Sequence, residues 1–127
     1  MSTPHKSHNP GFLALVNDAK SRIQQVNLDQ YKAMRDSGDP HILVDTREDS
    51  EWQAGHAAGA IHLGKGIIER DIEKTVPDKS AKLVLYCGRG VRSALAADAL
   101  AKMGYTNAIS LDGGWKDWQA AGMPVEK

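Results

Sequence analysis

The sequence predicts an α/β domain of three layers, a mainly parallel central sheet with helices on both faces. Two observations carry that prediction. Four short runs dominated by apolar residues, "HILVD" (41–45), "AIHL" (60–63), "KLVLYC" (82–87) and "NAISL" (107–111), have the length of strands and the hydrophobicity of strands covered on both sides. Stretches of helical periodicity separate them, and strands alternating with helices build parallel sheets. A chain of 127 residues, 41% hydrophobic and 25% charged, is sized for one such domain with a core of its own.

Taken in order, residues 1–10 are polar, with two His and two Pro, and read as a flexible arm. Phe12, Val16, Ala19 and Ile23 then recur at helical spacing, which predicts an amphipathic helix to about residue 23. Residues 11–26, helix and linker, are an addition to the core within a single domain spanning 11–127. Asn27 is placed to cap a second helix, with Gln30 at N3 and Val26 stapled onto Tyr31, and Gly38, Asp39 and Pro40 end it. After the first strand, "TREDSEWQAG" reads as a loop and a short helix stopped at Gly55. Ile67, Ile68 and Ile72 share one side of a helix that closes before Pro77 and Asp78. From about Arg92 to Met103 an alanine-rich helix follows, with Gly104 at C′, and "GGWKDWQAAGMP" supplies a last short helix stopped by Gly122 and Pro124.

Lys plus Arg and Asp plus Glu both number 16, so the overall charge draws the chain to neither nucleic acid nor an anionic membrane. The start, "MSTPHKSHNPGF", lacks the apolar stretch of a secretory signal, and no run is long enough to span a bilayer. A cytoplasmic, soluble protein is the expectation. The one cysteine, Cys87, forms no internal disulfide and suits a reducing compartment.

Cys87 stands where a strand hands over to a helix, the place where ligands sit in parallel sheets. The residues that follow, Gly88, Arg89, Gly90, Val91, Arg92 and Ser93, let the backbone curl and turn N–H groups inward as a nest for an anion. A helix N-terminus adds positive potential, and two arginines add full charge. Together these influences favour a thiolate nucleophile over the inert buried cysteine that a lone thiol otherwise is. Phosphate-handling cysteine enzymes carry Cys-x5-Arg; here the sixth residue after Cys87 is Ser93, and Arg92 comes one position early. The smaller bowl suits a terminal sulfur better than a phosphoryl group.

Three blocks together resemble the rhodanese-like sulfurtransferases in their single-domain form. They are "DTREDSEWQAGHAAGAIHL" (45–63), "YCGRGVRSA" (86–94) and "LDGGWKDWQAAGMPV" (111–125). The resemblance implies a rhodanese-like fold and a Cys87 that takes a sulfane sulfur from a donor such as thiosulfate, becomes a persulfide, and passes the outer sulfur to a thiol or cyanide. It implies ping-pong kinetics with no cofactor and no metal. The loop residues 88–93 would hold donor and persulfide, with Arg47 and Asp45 supporting them, Arg47 through an ion pair near the site. Partners are a small sulfur donor and a thiol acceptor, which can be a protein thiol; the chain is a monomer or homodimer.

Two rival readings stand beside this one. One is a persulfide carrier or protein-interaction module with slow small-molecule turnover; the other is arsenate reductase or Cys-dependent phosphatase chemistry at the same residue. The five histidines, at 5, 8, 41, 56 and 62, form no close ligand pair, and His56 orders its turn through hydrogen bonds. Trp115 and Trp118 lack a surrounding basic stripe and read as core packing. The carboxylates Asp45, Glu48, Asp49 and Glu51 fit a strand end and helix start better than an acid–base pair.

Overall fold

A computed structural model describes residues 8–127. The expected arm at 1–10 lies mostly outside the described residues, and Pro10 already opens the first helix. The elements run α1 (Pro10–Lys20), β1 (Gln24–Val26), α2 (Leu28–Asp36), β2 (Ile42–Asp45), α3 (Asp49–Ala54), β3 (His56–Ala57), β4 (Ile61–His62), α4 (Ile68–Thr75), β5 (Leu83–Tyr86), α5 (Val91–Lys102), β6 (Ala108–Leu111), α6 (Gly114–Ala120) and β7 (Val125–Glu126).

Five strands form a sheet in the order β1-β6-β5-β2-β4, and all of its pairings are parallel. Alternation along the buried strands divides the core into two layers. Leu83 and Leu85 of β5 and Val44 of β2 meet Ile68 and Ile72 of α4 and Ala96, Ala97 and Leu100 of α5 on one face. Val84 and Tyr86 of β5 and Leu43 of β2 meet Leu28 and Tyr31 of α2 and Trp118 of α6 on the other. The side-chain period of two makes this three-layer arrangement obligatory once every residue of β5 is apolar and buried.

Local signals set most element ends. Asn27 accepts the Gln30 N–H at 2.8 Å while the Gln30 side chain accepts the Asn27 N–H at 2.8 Å, the reciprocal cap its spacing predicts. α1 starts two residues earlier than its apolar period and ends at Lys20, because Pro10 fits the first helical turn and Ser21 caps the last. Ile23 keeps the helical spacing yet lies beyond the helix, packed against the core from the connection. The segment read as linker is in part a strand. Residues 24–26, mostly exposed, pair with Ile109, Ser110 and Leu111 of β6, so the sheet gains an edge that no apolar run announces.

α1 packs on α5 through the buried Val16 and Ala19, and Arg22 forks onto Asp98 at 3.1 and 2.8 Å. A second, two-stranded sheet pairs β3 with β7 antiparallel, His56 opposite Glu126 and Ala57 opposite Val125. Among the described residues, no helix is long and apolar enough to cross a membrane.

Candidate active site

β5 is the central strand, and at its carboxyl end the chain turns through Cys87, Gly88, Arg89 and Gly90 into α5. Gly90 is the N-cap of α5 with φ of 93°, a left-handed conformation that glycine adopts without strain. This turn aims the Gly90 N–H at the Cys87 sulfur, N···Sγ 3.1 Å. Ser93, one turn into the helix, places its hydroxyl 3.6 Å from the same sulfur and 2.9 Å from the Ser110 hydroxyl on β6. In the first turn of α5 the N–H groups of Val91 and Arg92 have no intrahelical acceptor, which leaves a partial positive charge beside the thiol. Cys87 itself has 0% exposure.

The two loop arginines are not equivalent. Arg92 donates to Glu51 of α3, Nη1 to Oε1 at 2.9 Å and Nη2 to Oε2 at 3.4 Å. That pair holds the Glu51 carboxyl below the usual carboxylate range and the Arg92 guanidinium above its own, Glu51 contributing most to the latter. Arg89 is exposed and, among the described residues, has no ion pair. One loop cation is fixed to the scaffold and the other faces outward.

Behind the loop lies a buried polar network. Asp45 ends β2, and its carboxylate accepts the Arg47 backbone N–H at 2.8 Å and Arg47 Nη2 at 2.8 Å. Tyr86 Oη donates to Asp45 Oδ2 at 2.7 Å and accepts the Ala57 N–H at 3.0 Å. Arg47 also donates to the Gly55 carbonyl at 2.7 Å and lies over the Trp115 ring, 4.5 Å from its centroid. Burial pushes the Tyr86 hydroxyl well above its ordinary range, so it remains a donor to Asp45. Arg47 is thus spent on an ion pair inside the protein, and Asp45 is its partner.

Trp115 connects this network to the cysteine. Its backbone N–H donates to the Cys87 carbonyl at 2.7 Å, and the Lys116 backbone N–H donates to the Gly88 carbonyl at 3.1 Å. The first turn of α6 thereby clamps the cysteine loop with N–H groups that a helix start leaves unpaired. Gly114 makes the approach possible, because a Cβ there would overlap the Cys87 carbonyl.

Of the residues singled out from sequence, the structure gathers Cys87 and 88–93 in one turn, with Asp45 and Arg47 on the neighbouring strand end. It does not give Arg92 the free charge expected of it. Glu51, Ser110, Gly114 and Trp115 escaped as site residues, since each acts on a partner distant in sequence. His56 does order its turn, its Nδ1 lying 3.0 Å from the Trp52 carbonyl. Trp118 is core and Trp115 packs against the same cluster, as expected, and Trp115 is also a platform for Arg47.

A parallel sheet with a lone cysteine cradled at the end of its central strand defines a class, and the chain belongs to it: residues 27–121 match the rhodanese-like domain family. Its relatives include sulfur-transferring enzymes and sulfur carriers. The chain is 30% identical over 101 residues to the thiosulfate sulfurtransferase GlpE of Vibrio cholerae, covering 80% of this chain and 92% of that one. It is 28% identical over 98 residues to the putative sulfur carrier protein YrkF of Bacillus subtilis, 77% of this chain but only 52% of the relative. The chain therefore spans about half of that relative's length. Among solved structures, a Rhodopseudomonas palustris protein of unknown function, described as a possible tyrosine phosphatase, aligns with a TM-score of 0.79 at 28% identity, over 98% of this chain and 100% of that one.

Proposed function

We propose that the protein is a sulfurtransferase that works through a Cys87 persulfide. The observation that carries this reading is the Gly90 N–H aimed at Sγ from the head of α5, with the Ser93 hydroxyl beside it. Such donors favour negative charge on sulfur, which both the attacking thiolate and the persulfide carry. With thiosulfate, the Cys87 thiolate attacks the outer sulfur, the S–S bond to sulfite breaks, and sulfite departs with the bonding pair. Arg89, exposed and without an ion pair among the described residues, meets the anionic donor; Arg92 holds the loop to α3 through Glu51. A thiol or cyanide then takes the outer sulfur and returns Cys87 to the thiolate. Asp45 and Arg47 support the loop from behind without touching the donor. Residues 11–127 act as one domain in this reading.

The loop count argues against phosphate esters, because Arg92 falls one residue short of the Cys-x5-Arg spacing and is already engaged by Glu51. Incubation with thiosulfate should add the mass of one sulfur, cyanide should remove it as thiocyanate, and Cys87→Ala should do neither. Retention of the unmodified mass with thiosulfate and with organic persulfides alike would overturn the reading. A variant of this reading, in which a partner protein's thiol is the acceptor and small-molecule turnover is slow, has a test of its own. A Cys87→Ser protein that still captures one specific partner would support that variant.

A further inference from the structure

Beside the cysteine loop lies a cleft of about 340 Å³ whose walls come from three parts of the chain. The loop gives Arg89 and Val91, the β6–α6 turn and α6 give Asp112, Lys116 and Asp117, and α1 gives Lys20. α1 precedes the stretch that matches the family, so this wall stands outside the family's shared domain. His8, against Phe12 at 5.3 Å between ring centroids, closes the rim.

Among the described residues the cleft holds three permanent cations, Lys20, Arg89 and Lys116, against two carboxylates. Both carboxylates lie beside the turn glycines: Asp112 Oδ1 lies 3.4 Å from where a Gly90 Cβ would stand, and the Asp117 carboxylate fills the space of a Gly113 Cβ. Among the described residues Lys20, Arg89 and Lys116 make no ion pair. The volume exceeds what a small inorganic anion needs and falls in the range of small-molecule sites, with Val91 as an apolar wall.

We propose that this cleft selects the sulfur acceptor, binding the anionic tail of a small organic thiol while its sulfur meets the loop. The proposal rests on the sulfur-transfer reading above. In the step it serves, the acceptor thiolate attacks the outer sulfur of the Cys87 persulfide, a new S–S bond forms, the bond to Cys87 breaks, and Cys87 leaves as thiolate. The acceptor is oxidised to an organic persulfide as the Cys87 persulfide is reduced. Lys20 and Lys116 are specificity residues here, remote from the reacting sulfurs.

The test uses persulfide-loaded protein, prepared with thiosulfate and confirmed by mass, and single-turnover discharge to three thiols of similar size. These are 3-mercaptopropionate (anionic), 2-mercaptoethanol (neutral) and cysteamine (cationic), each rate normalised to the same thiol's attack on a small-molecule disulfide. The wild type should favour the anionic thiol, less so at high salt. Lys20→Ala should erode that preference about threefold and Lys20→Glu about tenfold, each read on protein that mass measurement shows to be fully loaded. Lys116→Ala should act in the same direction as Lys20→Ala. Normal loading with discharge rates that ignore acceptor charge, or that Lys20→Glu leaves unchanged, would overturn the proposal and spare sulfur transfer. Failure to load from any donor would overturn both.

Discussion

At the scale of single residues, the cysteine loop rests on side chains buried behind it. Arg47 and Asp45 are both buried, and removing one partner strands the other's charge. Arg47→Leu should lower unfolding free energy by about 3–5 kcal/mol in urea titrations, and Asp45→Asn added to it should restore part of the loss. Gly114→Ala tests the clamp. It forces a Cβ onto the Cys87 carbonyl at a residue with φ of 48°, so the loop or α6 must shift. The expected cost is about 2–4 kcal/mol, with sulfur loading slowed even where the protein remains folded. An unfolding midpoint and a mass-detected loading rate, taken on one sample, separate the two effects.

At the scale of elements, α1 is fastened to α5 by Val16, Ala19 and the Arg22–Asp98 fork. Arg22 chiefly holds the Asp98 carboxyl below its usual range. A depressed carboxyl stabilises the fold above its unfolded pKa, ~3.9, and that contribution fades as pH falls through the lower folded value. The protection of α1 amides against hydrogen exchange, corrected for the pH dependence of the intrinsic rate, should therefore hold in the wild type from neutral pH to about pH 4 and fall only below it. In Arg22→Ala it should be lower already at pH 7, and the two proteins should converge in acid. Equal exchange at neutral pH would mean that the apolar face alone docks the helix. α1 also forms one wall of the cleft, so its attachment bears on the cleft's shape.

At the scale of the whole molecule, the small β3–β7 sheet ties the end of the described chain to the loop after α3. Glu126 accepts the Gly59 N–H at 3.0 Å, and the Trp118 indole donates to the Pro124 carbonyl at 2.8 Å. Removing residues 125–127 should lower the thermal midpoint by about 3–5 °C, read by circular dichroism. β3, β7 and β1 are also the strands that sequence patterning leaves unseen. Each is two or three residues long, and β1 and β7 are largely exposed, so pairing and not hydrophobicity makes them strands. The buried strands β2, β5 and β6 and helices α2 to α6 are legible because apolar runs, caps and glycine stops agree about them. For the site the divide is similar. Cys87 and its loop are contiguous and readable, whereas the Arg92–Glu51 pair joins residues 41 apart and Ser93–Ser110 residues 17 apart, contacts that only folding creates.

On the proposed sulfur transfer, the burial of Cys87 would give the protein a built-in asymmetry between its empty and charged forms. A thiol without accessible surface is sheltered from peroxides and alkylating agents, whose attack follows exposure. Appending one sulfur moves the reactive atom about 2 Å along the side chain, toward whatever opening admits the donor. The empty protein would then be chemically quiet in the presence of small oxidants, and reactivity would belong to the cargo more than to its carrier.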